Sequence, residues 1–307
     1  MVGGKVWRHM SAESLRGMRL GIVGTGVMAE AMLAGLLERD LVESRNVVCT
    51  HPRAERREAL VASYHVNVSE QNVEAVKDTD AVLLGVKPQM LRGVMAELKG
   101  SLRPDQLVIS IIAGATTTAI GVGLDHEAVV RCMPNTPAQI GRGVTVWYAT
   151  ETVDEVGKDR TRAMLAALGR EFEVHDERQV AMATAVSGTG PTYIFLFIEA
   201  LTDAAVHLGF PRHVARELVL DTMQGSAEFA LQSGKHVAQL RDMVTSPGGT
   251  SAEALYELER GGLRTVISDS VWAAFHRTLQ LEATLEERST DAPAVPPRTK
   301  GRGASRR

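Results

Sequence analysis

The segment Val244-Thr-Ser-Pro-Gly-Gly-Thr-Ser-Ala-Glu-Ala-Leu-Tyr-Glu-Leu258 sets a glycine-rich loop directly before an amphipathic helical pattern. Successive N–H groups of Gly248, Gly249, Thr250 and Ser251, backed by the positive end of a helix, form a receptor for a small anion such as a carboxylate. Hydroxyls on Ser246, Thr250 and Ser251 add neutral donors for a second polar atom of the same ligand. Alone, a Pro-Gly-Gly loop before a helix also reads as a plain turn. A second glycine-rich loop near the other end of the chain changes that balance.

That second loop follows the apolar run 18–23 and reads Gly24-Thr25-Gly26-Val27-Met28-Ala29 before a helical pattern over about 27–39. It is the dinucleotide fingerprint with Ala in third place. Gly24 permits the tight turn, Gly26 lets a pyrophosphate approach the backbone, and Ala29 keeps helix and strand close. A second strand, Asn46-Val-Val-Cys-Thr50, closes the βαβ unit at the required length.

Selectivity between the two nicotinamide dinucleotides is read at the end of that strand. An NAD site places an acid there for the ribose hydroxyls. This chain has Thr50-His51-Pro52-Arg53, with Arg56 and Arg57 following. A 2′-phosphate would meet a hydroxyl, an imidazole and guanidinium groups, so NADPH is favoured and NADH admitted. The alternative is that the arginines form the solvated first turn of a helix.

The chain has 307 residues, a formal net charge of −3 and 4% aromatic residues. Its length suggests roughly two domains. Few aromatics and no concentrated basic face outside the C-terminal tail argue against a nucleic-acid partner. Cys49 and Cys132 lie in apolar strand-like runs without metal-ligand spacing, as buried thiols in a reducing compartment do. The first residues lack the apolar core of a signal peptide, and the apolar run from Tyr193 to Leu208 is broken by Glu199 and Asp203. The expectation is a cytoplasmic protein with no membrane partner.

Strands at 18–23, 46–50, 80–86, 107–112 and 128–133 alternate with helical patterns, as a doubly wound parallel sheet requires. Gly85-Val86-Lys87-Pro88 ends one strand at the carboxyl edge, and Asn72 precedes it, so these positions are placed to line a cofactor. Equally, Lys87 reads as a surface cation ahead of a helix begun by Pro88. A strand at Gly143 to Ala149, a helix at about 153–168 and a strand at Glu171 to His175 finish this half. Helical patterns then fill 177–186, 191–208, 211–233, 236–244, 252–260 and 263–287. Ile194, Phe195, Phe197, Ile198, Leu201 and Leu208 leave one helix more apolar than a small domain can cover, which calls for a homodimer. Glu199, Asp203 and His207 share a helical stripe, read as a solvated or subunit-facing surface rather than a metal site. The expected organisation is an N-terminal extension over 1–17, a dinucleotide-binding domain over 18–175, a helical domain over 176–287 and a disordered basic tail over 288–307.

Gly24-Thr-Gly-Val-Met-Ala-Glu-Ala-Met, Val86-Lys-Pro-Gln, Arg131-Cys-Met-Pro-Asn-Thr-Pro, Ala185-Val-Ser-Gly-Thr-Gly-Pro-Thr-Tyr and Val244-Thr-Ser-Pro-Gly-Gly-Thr-Ser together resemble pyrroline-5-carboxylate reductase over about residues 18–287. The resemblance implies an α/β Rossmann-type doubly wound parallel sheet followed by an all-α dimerisation domain. It implies reduction of the cyclic imine 1-pyrroline-5-carboxylate to L-proline by NAD(P)H, the last step of proline biosynthesis, in a homodimer that often assembles further. By the same resemblance Ser246 and the backbone of Gly248 to Ser251 hold the substrate carboxylate, and Ser251, where the family usually has Thr, meets the ring nitrogen. Gly24, Thr25, Gly26, Val27, Met28, Thr50, Asn72, Val86, Lys87 and Pro88 are implied cofactor contacts. Arg131 to Pro137 would lie near the nicotinamide, and Ser187 to Pro191 where the helical domain meets the cleft. For Thr189 a structural role at the start of a helix competes with a ligand contact. Val27 departs from the polar amide common at that place, leaving backbone N–H groups of Val27 and Met28 to serve the pyrophosphate.

Two rival readings remain at this point. A β-hydroxyacid dehydrogenase also joins such a sheet to helices, but it uses a lysine on the helical domain, and none occurs between Lys158 and Lys235. A non-catalytic NADP-binding regulator would be expected to lose the late glycine loop first; here its glycines and hydroxyls are present.

Overall fold

The computed structural model describes residues 15–290, and side chains as far as residue 287. Eight strands form one sheet in the order β3-β2-β1-β4-β5-β6-β7-β8. They are β1 (Leu20–Val23), β2 (Val47–Thr50), β3 (Asn67–Ser69), β4 (Ala81–Leu84), β5 (Leu107–Ser110), β6 (Val129–Met133), β7 (Gly143–Ala149) and β8 (Gly169–Glu173). The first six follow the strand order of a dinucleotide-binding sheet, with β1, β4 and β5 fully buried as continuous apolar runs.

The expectation of a wholly parallel sheet fails at one place, because β7 runs antiparallel to β6. Only a short segment containing a 3₁₀ turn, Thr136–Ile140, separates them. Parallel neighbours need a crossover of about a dozen or more residues, so the chain turns back instead. Between β7 and β8 a helix restores the crossover and the parallel direction. The edge strand β3 was not anticipated; it is three residues long and has no apolar run.

Helices cover both faces: α1 (Val27–Glu38), α2 (Ala54–Tyr64), α3 (Asn72–Val76), α4 (Pro88–Leu98), α5 (Thr117–Leu124) and α6 (Glu155–Ala166). Two apolar cores flank the sheet, one built on Leu20, Ile22, Leu33 and Trp147, the other on Val82, Leu84, Leu91 and Ile120. Leu15, placed in the N-terminal extension by the sequence reading, is fully buried in the first core.

The second half contains α7 (Arg178–Ala183), a π turn over Thr184–Gly188, α8 (Gly190–His207), α9 (Arg212–Ser233), α10 (Val237–Met243), α11 (Thr250–Arg260) and α12 (Leu263–Thr290). The α12 helix runs back to the sheet, where Leu281 packs on Gly114 and Leu285 joins the second core. It also continues three residues into the stretch expected as tail; residues 291–307 and 1–14 lie outside the described part.

Polar contacts lock this return. Arg131 on β6 has a side chain only 3% exposed and pairs with both Glu177 and Glu282. Glu177 additionally accepts the N–H and hydroxyl of Thr117, both at 2.7 Å, and Thr116 donates to Glu286. Asn135 spans β7 and the π turn, accepting the Val144 N–H at 2.9 Å and donating to the Ser187 carbonyl at 3.1 Å. Thr189 donates to the Thr184 carbonyl at 2.9 Å, bonding back into the π turn, and its side chain does not cap α8.

Candidate functional site

At the carboxyl edge of β1, Gly24 takes φ +83°, a conformation that disfavours side chains, and a Cβ there would stand 2.3 Å from Val86 Cγ1. Gly26 begins α1 with extended backbone and no side-chain cap. A Cβ on Gly26 would meet only the Gly85 carbonyl, at 3.9 Å. Open space therefore lies over the first turn of α1, where the N–H groups of Val27 and Met28 point at the positive end of the helix dipole. That is the cradle a pyrophosphate fits. Beneath it, a Cβ on Gly85 would stand 2.8 Å from the Ala29 methyl, so helix and strand meet as closely as Ala in third place implies.

Two implied contacts have other roles. Thr25 is wholly buried and its N–H donates to the Thr50 carbonyl, so it shapes the turn and does not face the groove. Thr50 is buried as well, accepting the Gly24 N–H at 3.1 Å and donating to Asn72 Oδ1 at 2.7 Å. Its hydroxyl is thus spent and not offered to a 2′-phosphate. Asn72 in turn donates its N–H and Nδ2 to Glu97 on α4. Gly24, Thr50, Asn72 and Glu97 form one chain of hydrogen bonds binding the ends of β1 and β2 to α3 and α4. Glu97 was missed in the sequence because it has no motif of its own.

Lys87 is exposed at the start of α4, with Pro88 in the first helical position. Past β2, the Arg53 N–H donates to His51 Nδ1, and Arg53 is exposed without an ion pair among the described residues. Burial, reinforced by Arg53 and Arg56, holds the His51 imidazole below its ordinary pKa. Arg57 is tied to the His51 and Pro52 carbonyls, and Arg56 to Glu30. Burial pushes the Cys49 thiol up to about 11 and raises that of Cys132, which leaves both inert.

The late loop sits at the start of α11. Gly248 has φ +68°, and Gly249 has no room for a Cβ, which would come within 2.5 Å of Ser246 Oγ. The Gly249 N–H closes a turn onto the Ser246 carbonyl, so it is not free for a ligand as expected. No side chain caps α11, leaving the first-turn N–H groups of Thr250 and Ser251 open. Ser246, Gly248, Thr250 and Ser251 are exposed. Among the described residues, no hydrogen bond or ion pair joins 244–251 to the sheet half. Arg131, by contrast, is buried in its carboxylate pairs and braces the two halves.

The helical half exposes much apolar surface, including Ile194, Phe195, Leu196 and Leu201 on α8, Leu208 just past its end, and Leu218 and Phe229 on α9. Between these helices runs a groove of about 690 Å³ lined by Phe195, Leu196, Ile198 and Arg216. The stretch Arg178–His207 is long and apolar enough to cross a membrane by length and composition, with little of it buried within one chain. Asp203 pairs with Arg212, and no cluster of metal-ligating side chains occurs among the described residues.

Comparison with known proteins accounts for these features. A family described as pyrroline-5-carboxylate reductase dimerisation matches residues 177–281, and one described as NADP oxidoreductase, coenzyme F420-dependent, matches residues 19–114. The pyrroline-5-carboxylate reductase of Synechocystis is 42% identical over 86% of this chain and 98% of its own length. The chain belongs to the pyrroline-5-carboxylate reductase family. The Escherichia coli pyrroline-5-carboxylate reductase is 33% identical over 86% of this chain and 98% of its own. Among solved structures, the Coxiella burnetii reductase matches with TM-score 0.79 at 35% identity, covering 86% and 98% of the two chains. The Plasmodium falciparum enzyme with NADP bound matches with TM-score 0.80 at 29% identity, covering 87% and 99%. The two family matches, over 19–114 and 177–281, together span most of the chain.

Proposed function

We infer that this protein is an NAD(P)H-dependent oxidoreductase that reduces the C=N bond of 1-pyrroline-5-carboxylate to give L-proline, completing proline biosynthesis. The observation that carries the reading is the pairing, in one chain of this family, of a glycine cradle over the uncapped start of α1 with a hydroxyl-rich glycine loop over the uncapped start of α11.

The reaction requires one hydride and one proton. A reduced nicotinamide dinucleotide held at the start of α1 would supply the hydride. The chain's part is to hold both molecules and to manage the proton. First-turn N–H groups of Val27 and Met28 receive the pyrophosphate, with Gly26 leaving room for it. Val86, Lys87 and Pro88 border the same cradle. Arg53, exposed and without an ion pair among the described residues, is the guanidinium available to a 2′-phosphate and supports a preference for NADPH.

The carboxylate of the substrate is held by N–H groups of Gly248, Thr250 and Ser251 with the Ser246 hydroxyl. Ser251 then donates a hydrogen bond to the ring nitrogen and passes it the hydroxyl proton while taking one from water. Fixing the carboxylate orients the imine carbon for transfer.

Among the described residues the cradle and the late loop share no polar contact within one chain, while α8 and α9 expose broad apolar faces. A homodimer, with further assembly open to it, covers those faces and brings the late loop of one copy toward the cradle of the other. The apolar stretch Arg178–His207 is then an interface helix.

NADPH oxidation by the purified protein tests the reading. Rapid turnover with 1-pyrroline-5-carboxylate is expected, slower turnover with piperideine carboxylate, and none with 3-hydroxyisobutyrate and NADP. Activity confined to the hydroxyacid would refute it.

A further inference from the structure

We propose that Glu30 tunes selectivity for the 2′-phosphate by holding Arg56 out of the ribose pocket. Three guanidiniums follow β2, yet their engagements differ. Arg57 is fixed by the His51 and Pro52 carbonyls at 2.7 and 2.9 Å and approaches Glu70 at 3.3 Å. Arg53 is exposed and unpaired among the described residues. Arg56 points across to α1, where its Nη2 binds Glu30 Oε2, and the second carboxylate oxygen accepts the Tyr64 hydroxyl at 3.2 Å.

Both oxygens of Glu30 are thus engaged, and the pair is partly shielded, with side chains 27% and 25% exposed. Glu30 lies in the first turn of α1, beside the cradle, while Arg56 lies one helical turn beyond Arg53. The pair therefore bridges α1 and α2 alongside the gap between the ends of β1 and β2, where an adenosine ribose would sit. Arg53 is the extended residue that immediately precedes α2 and Arg56 lies in the first turn three residues on, so Arg56, once freed, reaches toward the same phosphate. With Glu30 in place, one cation is offered to that phosphate instead of two. An adenosine lacking the phosphate gains nothing from either.

The proposal rests on the NADPH reading, and the test separates the two. Calorimetry on the intact protein measures affinity for adenosine 2′,5′-bisphosphate against 5′-AMP, with no catalysis involved. Glu30→Gln removes the charge that holds Arg56 while keeping an acceptor for Tyr64, and should raise the preference for the bisphosphate about fivefold to tenfold, the scale of one added solvent-accessible hydrogen bond. The same substitution in an Arg56→Ala background should give a smaller gain. An equal gain in both backgrounds, or no gain in the parent, overturns the proposal. Arg53→Ala serves as the control: if it leaves the preference unchanged, the pocket itself is misassigned. If Arg53→Ala lowers the preference while Glu30→Gln does not raise it, the pocket stands and only the role of Glu30 fails.

Discussion

Arg131 on β6 and Glu282 on α12 meet at 2.5 Å, Nη2 to Oε1, where the last helix returns to the sheet. The other terminal nitrogen of Arg131 binds Glu177 at 3.1 Å. Taking one partner from so enclosed a set leaves charge without compensation, which costs about 3–5 kcal/mol. Arg131→Met strands two carboxylates, whereas Glu282→Gln leaves Arg131 its bond to Glu177. Thermal melting should therefore fall further for Arg131→Met than for Glu282→Gln; the reverse order would show that the bridge is not what joins the halves.

The two fingerprint glycines should fail in different ways. Gly24→Val sets a side chain against Val86 in a disfavoured backbone conformation, so folding itself should suffer. Gly26→Val meets open space, so the protein should fold with an unchanged melting temperature and lose affinity for NADPH. Calorimetric titration with NADPH alongside melting curves distinguishes them. Unaltered affinity in folded Gly26→Val would remove the cradle from the reaction.

Ser251→Ala deletes one neutral hydrogen bond, for which roughly 0.5–1.5 kcal/mol is typical, so turnover should drop by up to about tenfold. Affinity for NADPH should stay as it was. Ser251→Thr restores a methyl group that restrains the rotamer and should match or exceed the parent. Steady-state rates settle the matter, and full turnover in Ser251→Ala would reduce Ser251 to part of a turn.

His51 predicts a pH effect on stability. Its pKa in the folded protein is lowered by burial and then by Arg53, so the unfolded chain takes up the proton first as pH falls. The stability tied to the neutral imidazole is complete above the ordinary histidine value of about 6.5 and is lost as pH drops through that window. Protonation also removes the Nδ1 acceptor used by the Arg53 N–H. Melting temperatures from pH 7.5 down to 5 should diverge between the parent and His51→Gln only below that value; parallel curves would show that another group titrates.

Much of this architecture was legible because periodicity and glycine placement report local geometry. The apolar runs around Ile22, Leu83 and Ile109 had to be buried strands, and Gly24, Gly26 and Ala29 had to make a tight turn before a helix. What escaped were features set by distant partners. Thr50 looks like a ligand in the sequence, and only the fold shows it held between Gly24 and Asn72. Arg131 lies in a motif that suggests the reaction centre, but Glu177 and Glu282, far along the chain, claim it. The Gly249 N–H was spent on a turn that a pattern of glycines cannot reveal. The reversal of β7 was in principle readable from the short link after Met133.

The hydrogen bonds running from Gly24 through Thr50 and Asn72 to Glu97 make the dinucleotide cradle rigid before anything occupies it. A receptor already in its final shape gives up little conformational freedom on binding. The late loop, exposed and held by its own short turn, has that ordering still ahead of it. On the proposed assignment of the two loops, the asymmetry favours a fixed sequence of arrival, with the dinucleotide seated first and the imine second.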